Sequence, residues 1–358
     1  DDTIRADARR CAMSRGTGCR YGSHRVLEPK GILPQPALRL DNDMAVYDNE
    51  VLIDVSTLNI DSASYTQIRS ACGADEGRMR EMILSIVAER GKMQNPVTGS
   101  GGMLIGTVRE IGSEYPNKQL KVGDRIATLV SLSLTPLRIA SIRRLDPDSD
   151  QVDVDAQAIM FESGIYANVP TNLPEKLALA VLDVAGAPAQ VDRIVEEGDA
   201  VCIIGGGGKS GVLCCYQAMK NVGPYGKVIV VEYSKENAAR IERMGLATHV
   251  IVADATDALD VYRKVTDITG PRGCDVTVNN VNVPNTEMTS ILITKGQGLI
   301  YFFSMATSFT KAALGAEGVG KDIELIVGNG YTKGHSDLAL NILRESADIR
   351  ALFEKLYV

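Results

Sequence analysis

The chain has 358 residues, 45% of them hydrophobic, and a formal net charge of −7. A chain of this size buries large cores and is expected to form two domains. The acidic balance and the lack of a basic run exclude nucleic acid and an anionic membrane as expected partners, while a small acid can still bind at a local positive site.

No stretch approaches the roughly 18 continuous apolar residues of a membrane span, and Asp1 to Arg20 is charged, without the apolar core of a secretory leader. The seven cysteines are odd in number and show no C-x-x-C pair, so they read as reduced thiols of a cytoplasmic protein. The three histidines, His24, His249 and His335, are scattered, and no histidine-rich metal site is expected. Cys19 and His24 lack nearby companions for a shared metal.

Residues 1 to 45 are rich in Arg, Gly and Pro, and Glu28 to Pro36 reads as an extended segment punctuated by turns. Glu50 to Leu58 alternates apolar and polar residues as a half-buried strand does, and Asn59 to Tyr65 reads as a polar turn. Ile68 to Arg90 is mostly helical, with Gly73 and Gly77 interrupting its start; Met79, Met82, Ile83, Ile86 and Val87 share its core face. Gly-rich turns then feed strands ending near Gly112 and Val130, which predicts a β-rich first domain over 1–176.

The second domain, 177–330, is organised around Asp199 to Gly211. The apolar strand Val201 to Ile204 enters the cluster Gly205, Gly206, Gly207, Gly208, Lys209, Ser210, Gly211, and Val212 to Met219 continues as a helix. Glycines at a strand-to-helix turn let the backbone approach a pyrophosphate, whose charge the helix N-terminus favours. Gly206, Gly208 and Gly211 give G-x-G-x-x-G, and Gly205, Gly208 and Gly211 give a looser spacing that serves the same geometry. A triphosphate P-loop requires glycine where Ile203 stands, and a purely structural glycine turn is the other alternative.

A second strand, 227–231, ends at Glu232, where a carboxylate accepts hydrogen bonds from an adenosine ribose and repels a 2′-phosphate. NAD is therefore expected over NADP, with Glu232 ordinary and solvated as the bland alternative. Tyr233 can shape the same pocket. Strands at 249–253, 274–279, 298–303 and 323–327 complete a doubly wound parallel α/β sheet of order 3-2-1-4-5-6. The polar exits of the fourth and fifth, with Asn280 and Val281 and then Ser304 and Met305, are expected to line the nicotinamide half. Asp337 to Leu356 reads as one amphipathic helix returning, within 331–358, to the first domain.

The combination of Glu50 to Val55, Gly106 to Gly112, Val122 to Ile126 and the glycine turn resembles the medium-chain dehydrogenase/reductase superfamily. That resemblance implies a GroES-like β domain joined to a Rossmann domain. Its catalytic zinc-ligand positions fall at about Ile60, Gly102 and Ala180, none a zinc ligand, and the four-cysteine zinc lobe is missing; no metal is expected. The turn Asn59 to Ser62 resembles that of the zinc-free reductases.

Four further stretches, starting at Tyr21, Lys92, Val281 and Tyr301, resemble the 3,5-diaminohexanoate dehydrogenase family of lysine fermentation over about 18–358. The resemblance implies oxidative deamination of a small diamino acid, a nicotinamide cofactor and a homodimer. Such chemistry needs a group to deprotonate the amine. The candidates are Asp183, Asp61, Ser62, Glu162 and His24. Asp61 and Ser62 serve equally as a helix cap, Glu162 as the partner of an arginine, and His24 in a structural hydrogen bond. Asp183 lies in the apolar run 177–189, where a carboxylate must be paired or functional. A zinc-free quinone or enoyl reductase, or a non-catalytic nicotinamide-binding protein, are the competing readings.

Overall fold

The structure, a computed structural model, describes residues 15–328 and 330–358; Cys11, one of the expected thiols, lies outside them. The chain forms two compact units, Asp1–Leu179 and Ala180–Val358.

In the first unit a two-stranded ribbon, β1 (Val26–Glu28) with β2 (Arg39–Leu40), precedes the central strand β3 (Val51–Ile60). Along β3, Val51, Ile53, Leu58 and Ile60 are fully buried, while Asp54 and Ser56 are half-buried on the other face. The helices α1 (Ser62–Cys72) and α2 (Glu76–Arg90) cover the core face with Ile68, Met79 and Ile83. The expected polar turn Asn59 to Tyr65 is shorter than its composition suggests. Asp61 accepts a hydrogen bond from the Ser64 N–H at 3.0 Å and so caps α1 at Ser62. What the periodicity reads as one interrupted helix is two, because Gly73 closes α1 at φ 64°.

Strands β4 (Gly102–Ile111), β5 (Arg125–Thr128), β6 (Leu137–Asp146), β7 (Ser149–Met160) and β8 (Tyr166–Asn168) complete an antiparallel sheet in the order β6-β7-β3-β4-β5-β8. Helix α3 (Glu175–Leu182) carries the chain into the second unit.

The second unit follows α4 (Gly186–Ile194) with alternating strands and helices: β9 (Ala200–Ile204), α5 (Lys209–Val222), β10 (Lys227–Glu232), α6 (Lys235–Arg243), β11 (His249–Val252), α7 (Ala258–Thr269), β12 (Cys274–Asn279), α8 (Glu287–Ile293), β13 (Thr294–Phe302), α9 (Phe309–Gly318) and β14 (Glu324–Val327). All pairings are parallel and the order is β11-β10-β9-β12-β13-β14, the expected 3-2-1-4-5-6 arrangement. The antiparallel β-rich unit and this doubly wound sheet bear out the expected fold class.

The amphipathic C-terminal stretch, expected to return to the first domain as one helix, groups with the second unit as two. Ser346 ends α10 (His335–Glu345) and caps α11 (Ala347–Tyr357) through the Ile349 N–H at 3.2 Å. Glu345 accepts hydrogen bonds from Tyr216 and Lys220 of α5, at 3.1 and 2.9 Å. No helix among the described residues is long and apolar enough to cross a membrane. Cys19 is exposed; Cys72, Cys202, Cys214, Cys215 and Cys274 are buried free thiols.

The first unit buries one charge pair whole. Arg25 and Glu50 are 0% and 1% exposed, and the guanidinium meets the carboxylate in a fork, Nε to Oε1 at 2.7 Å and Nη2 to Oε2 at 2.6 Å. Burial pushes the Glu50 pKa up, but hydrogen bonds from His24 and Arg25 outweigh it and leave the pKa below its ordinary 4.5. The stabilisation from this carboxylate is therefore complete above its unfolded pKa and is lost as pH falls through the lower folded value. Glu50→Gln should cost about 3–5 kcal/mol in urea titrations at neutral pH, with the difference from the unmodified protein shrinking in strong acid.

Candidate functional site

Strand β9 lies at the middle of the parallel sheet, and the chain leaves it and its neighbour β12 in opposite directions, so a crevice opens at their carboxyl ends. The Asn280 N–H donates to the Ile204 carbonyl at 2.9 Å, which brings the exit of β12 beside the glycine turn. Gly205 turns at φ +79°, and a side chain there would stand 3.1 Å from Val281. At Gly211 an added Cβ would lie 2.1 Å from the Gly205 carbonyl oxygen and 2.7 Å from Gly206 backbone, so only glycine lets α5 sit this close to the turn.

Gly208 differs: it is exposed, a Cβ added there would meet nothing within 4 Å, and it begins α5 without a side-chain cap. The three glycines of the looser spacing thus divide the work, with Gly205 and Gly211 closing the turn and Gly208 leaving it open. The unpartnered N–H groups expected at such a helix start, with the helix dipole behind them, suit an anion such as a pyrophosphate.

Beyond the turn, Ile204, Gly205, Glu232, Tyr233, Asp254 and Val281 help enclose a cavity of about 250 Å³. Glu232, 8% exposed, accepts from the Gly207 N–H at 2.8 Å through Oε2 and from the Ser234 N–H at 3.0 Å through Oε1. A carboxylate has about four lone-pair sites, so two remain for a ribose. The acid at the end of β10 is therefore buried and committed to the turn, unlike the solvated side chain that position alone allows. Tyr233 is exposed at the cavity rim, and Asp254 to Thr256 complete the wall, residues that carry no recognisable pattern in the sequence.

Ser304 donates its N–H to the Asn279 carbonyl at 3.2 Å, holding the exit of β13 against that of β12. Met305 is exposed. The Asn280 Nδ2 is buried with no hydrogen-bond partner, a free donor at the crevice. Ser210 is buried in the first turn of α5.

The catalytic candidates separate into three places. In the second unit the Asp183 carboxylate lies 3.6 Å from the Lys209 ammonium of the glycine turn, and that ammonium also sits 5.1 Å over the Tyr357 ring. The counter-charge explains how a carboxylate stays in an apolar run. In the first unit Asp61 caps α1, keeping a buried Oδ2 without a partner, and the Ser62 hydroxyl donates to Asp150 at 3.4 Å.

Elsewhere in that unit His24 Nε2 bonds Glu50 at 2.8 Å, and Glu162 accepts from Asn49 at 2.9 Å and pairs with Arg20 at 3.8 Å. Ile60 and Gly102 pair across β3 and β4. Asn59, fully buried beside them, has neither amide atom hydrogen-bonded, a feature the sequence pattern does not signal. Among the described residues no three His, Cys, Asp or Glu side chains group as metal ligands.

Gly211→Ala should destabilise the second unit by about 1–3 kcal/mol in denaturant titrations, because the new methyl meets backbone rather than a movable side chain.

Residues 24–170 match the family described as the L-erythro-3,5-diaminohexanoate dehydrogenase N-terminal domain. The L-erythro-3,5-diaminohexanoate dehydrogenase of Acetoanaerobium sticklandii is 57% identical over 342 residues, 95% of this chain and 99% of that protein. The enzyme of the same name from Fusobacterium nucleatum subsp. nucleatum is 57% identical over the same shares. Among solved structures, a quinone oxidoreductase from Coxiella burnetii superposes with a TM-score of 0.54 over 91% of this chain and 93% of its own at 18% identity, a likeness of fold. A dehydrogenase on this fold uses a nicotinamide cofactor, and the glycine turn and its acid-walled cavity fit one. With 57% identity across nearly its whole length, the chain belongs to the L-erythro-3,5-diaminohexanoate dehydrogenase family.

Proposed function

We propose that the protein oxidises the C3 amine of L-erythro-3,5-diaminohexanoate with NAD, releasing 5-amino-3-oxohexanoate and ammonia. The observation that carries this reading is the identity of 57% over 95% of the chain to two dehydrogenases named for that substrate. A bound oxidised nicotinamide would supply the hydride acceptor for C3. The turn Gly205 to Gly211 would hold the pyrophosphate, with Glu232 and Tyr233 at the adenosine and Asn280, Val281, Ser304 and Met305 toward the nicotinamide. Glu232 favours NAD, since a 2′-phosphate beside that carboxylate meets like charge.

The substrate amine must be neutral before C3 can lose a hydride. Asp183 is the preferred base, because Lys209 holds a carboxylate beside the cofactor turn in the same unit. The carboxylate takes the ammonium proton; after oxidation, water adds to the iminium carbon and ammonia leaves. Asp61 and Ser62 remain candidates for orienting substrate, Asp61 through its unpartnered oxygen. His24 and Glu162 have less freedom, being committed to Glu50 and Asn49. No step of this scheme requires a metal, in keeping with Ile60, Gly102 and Ala180 standing about where the resemblance would put zinc ligands. The assembly expected is a homodimer, which sedimentation of the intact protein tests.

Nicotinamide reduction and ammonia release should both occur with 3,5-diaminohexanoate, faster with NAD than with NADP, and should survive prolonged chelation. Turnover confined to quinones or enones, without ammonia, would instead establish the reductase alternative. Asp183→Asn should lower kcat by roughly 100-fold or more, with the cofactor dissociation constant measured alongside. A variant as fast as the unmodified enzyme would remove Asp183 from the base position.

A further inference from the structure

The reading of the cofactor site leaves one charged side chain unexplained. Arg240 lies on α6, 33 residues beyond Gly207, and its Nη2 donates to the Gly207 carbonyl at 2.8 Å. Its Nε is buried and has no hydrogen-bond partner. Burying a guanidinium N–H without a partner is costly, so this placement needs a compensating role.

Gly207 is held from every side. Its N–H goes to Glu232 at 2.8 Å and its carbonyl to Arg240 at 2.8 Å. A Cβ at Gly207 would stand 2.6 Å from the Asn237 Cβ, so the α carbon rests directly on α6. Asn237 and Arg240 are three residues apart and share one helix face. The residue before the open Gly208 is thus fixed by one acid from the end of β10, one base from α6 and the packing of α6 itself.

We propose that Arg240 is a positioning residue of the nicotinamide-dinucleotide site. It acts through the Gly207 carbonyl, not by touching the reacting atoms. Gly207 has two soft backbone dihedrals and no side chain to restrain them. Freed of its carbonyl partner, the peptide between Gly207 and Gly208 can rotate, and the first N–H groups of α5 lose the fixed direction that favours a pyrophosphate. A turn held by the fold's own contacts is preorganised, and preorganisation of this kind appears as affinity. The inference rests on the glycine turn being a dinucleotide site.

The test is direct titration of the full-length protein with NAD and NADH, followed by calorimetry or nicotinamide fluorescence, beside thermal unfolding without ligand. Arg240→Met should raise the dissociation constant about tenfold or more, and the kinetic loss should appear in KM for the dinucleotide rather than in KM for the amine. Arg240→Lys keeps a cationic donor able to approach the carbonyl and should recover a large part of the affinity. It also carries the test where the methionine variant does not fold: an affinity between that of the unmodified protein and a tenfold loss supports the proposal. A dissociation constant within twofold of the unmodified value for Arg240→Met overturns it. So does equal loss in both variants that follows the fall in thermal midpoint, since that marks a purely structural contact. If the unmodified protein binds neither dinucleotide, the reading of the glycine turn is itself wrong.

Discussion

The second unit depends on one close approach, that of the Gly211 α carbon to the backbone of Gly205 and Gly206. Because no side chain intervenes, α5 begins directly against the turn that ends β9. That proximity aims the helix dipole and its first N–H groups at the crevice left by the diverging chain directions of β9 and β12. The other contacts of the site gather around it. Asn280 reaches the Ile204 carbonyl along the β9–β12 ladder, Glu232 reaches the Gly207 N–H, and at the start of α5 the Lys209 ammonium lies beside Asp183.

The first unit solves a different problem, the burial of charge. Arg25 and Glu50 are removed from water together, and their fork-to-fork geometry satisfies both carboxylate oxygens. Arg25 also donates to the carbonyls of Asp43 and Ala45, at 2.5 and 2.7 Å, so the pair fastens the irregular segment before β3 to the sheet. Lys92 acts similarly without any acid: its ammonium donates to the Pro34 and Gln35 carbonyls at 2.7 and 3.0 Å, and burial lowers its pKa to about 8. Lys92 thus holds the turn at Pro34 and Gln35, and Arg25 the irregular residues Asp43 to Ala45, neither segment being helix or strand.

The parallel sheet is legible in the sequence because strands buried on both faces are continuous apolar runs. The run from Cys274 to Asn279 has the same limits in sequence and structure, and the glycine turn with its acid at Glu232 announces the site. In the long hairpin of β6 and β7 the second strand does alternate, with Val152, Val154, Ala156 and Ala158 buried between Asp153, Asp155 and Gln157. The first is harder to read, because register shifts at Ile139/Ser141 and Ile142/Arg144 break its period. The start of α1 is hidden for another reason, since Asp61 and Ser62 suit a turn and a cap equally until the Ser64 N–H shows which is used. Arg240 has no pattern to reveal it: its partner is a carbonyl 33 residues away, and a backbone oxygen leaves no mark on the sequence.

The separation in sequence also bears on cofactor choice. Glu232 is expected from its position to face only a ribose, but its carboxylate is shared between that cavity and the Gly207 N–H. The same carboxylate that holds the turn also faces the cavity, so a substitution at this residue alters both at once. An apolar residue there removes the negative charge from the cavity wall and, in the same step, one of the two polar contacts on Gly207. The Arg240 contact is the other, and it enters from α6 without passing through Glu232. The order of the turn and the charge facing the cavity are thus coupled at the end of β10 but separable at α6, which makes the helix face carrying Asn237 and Arg240 the place where the geometry of the turn can change while the cavity's acid is kept.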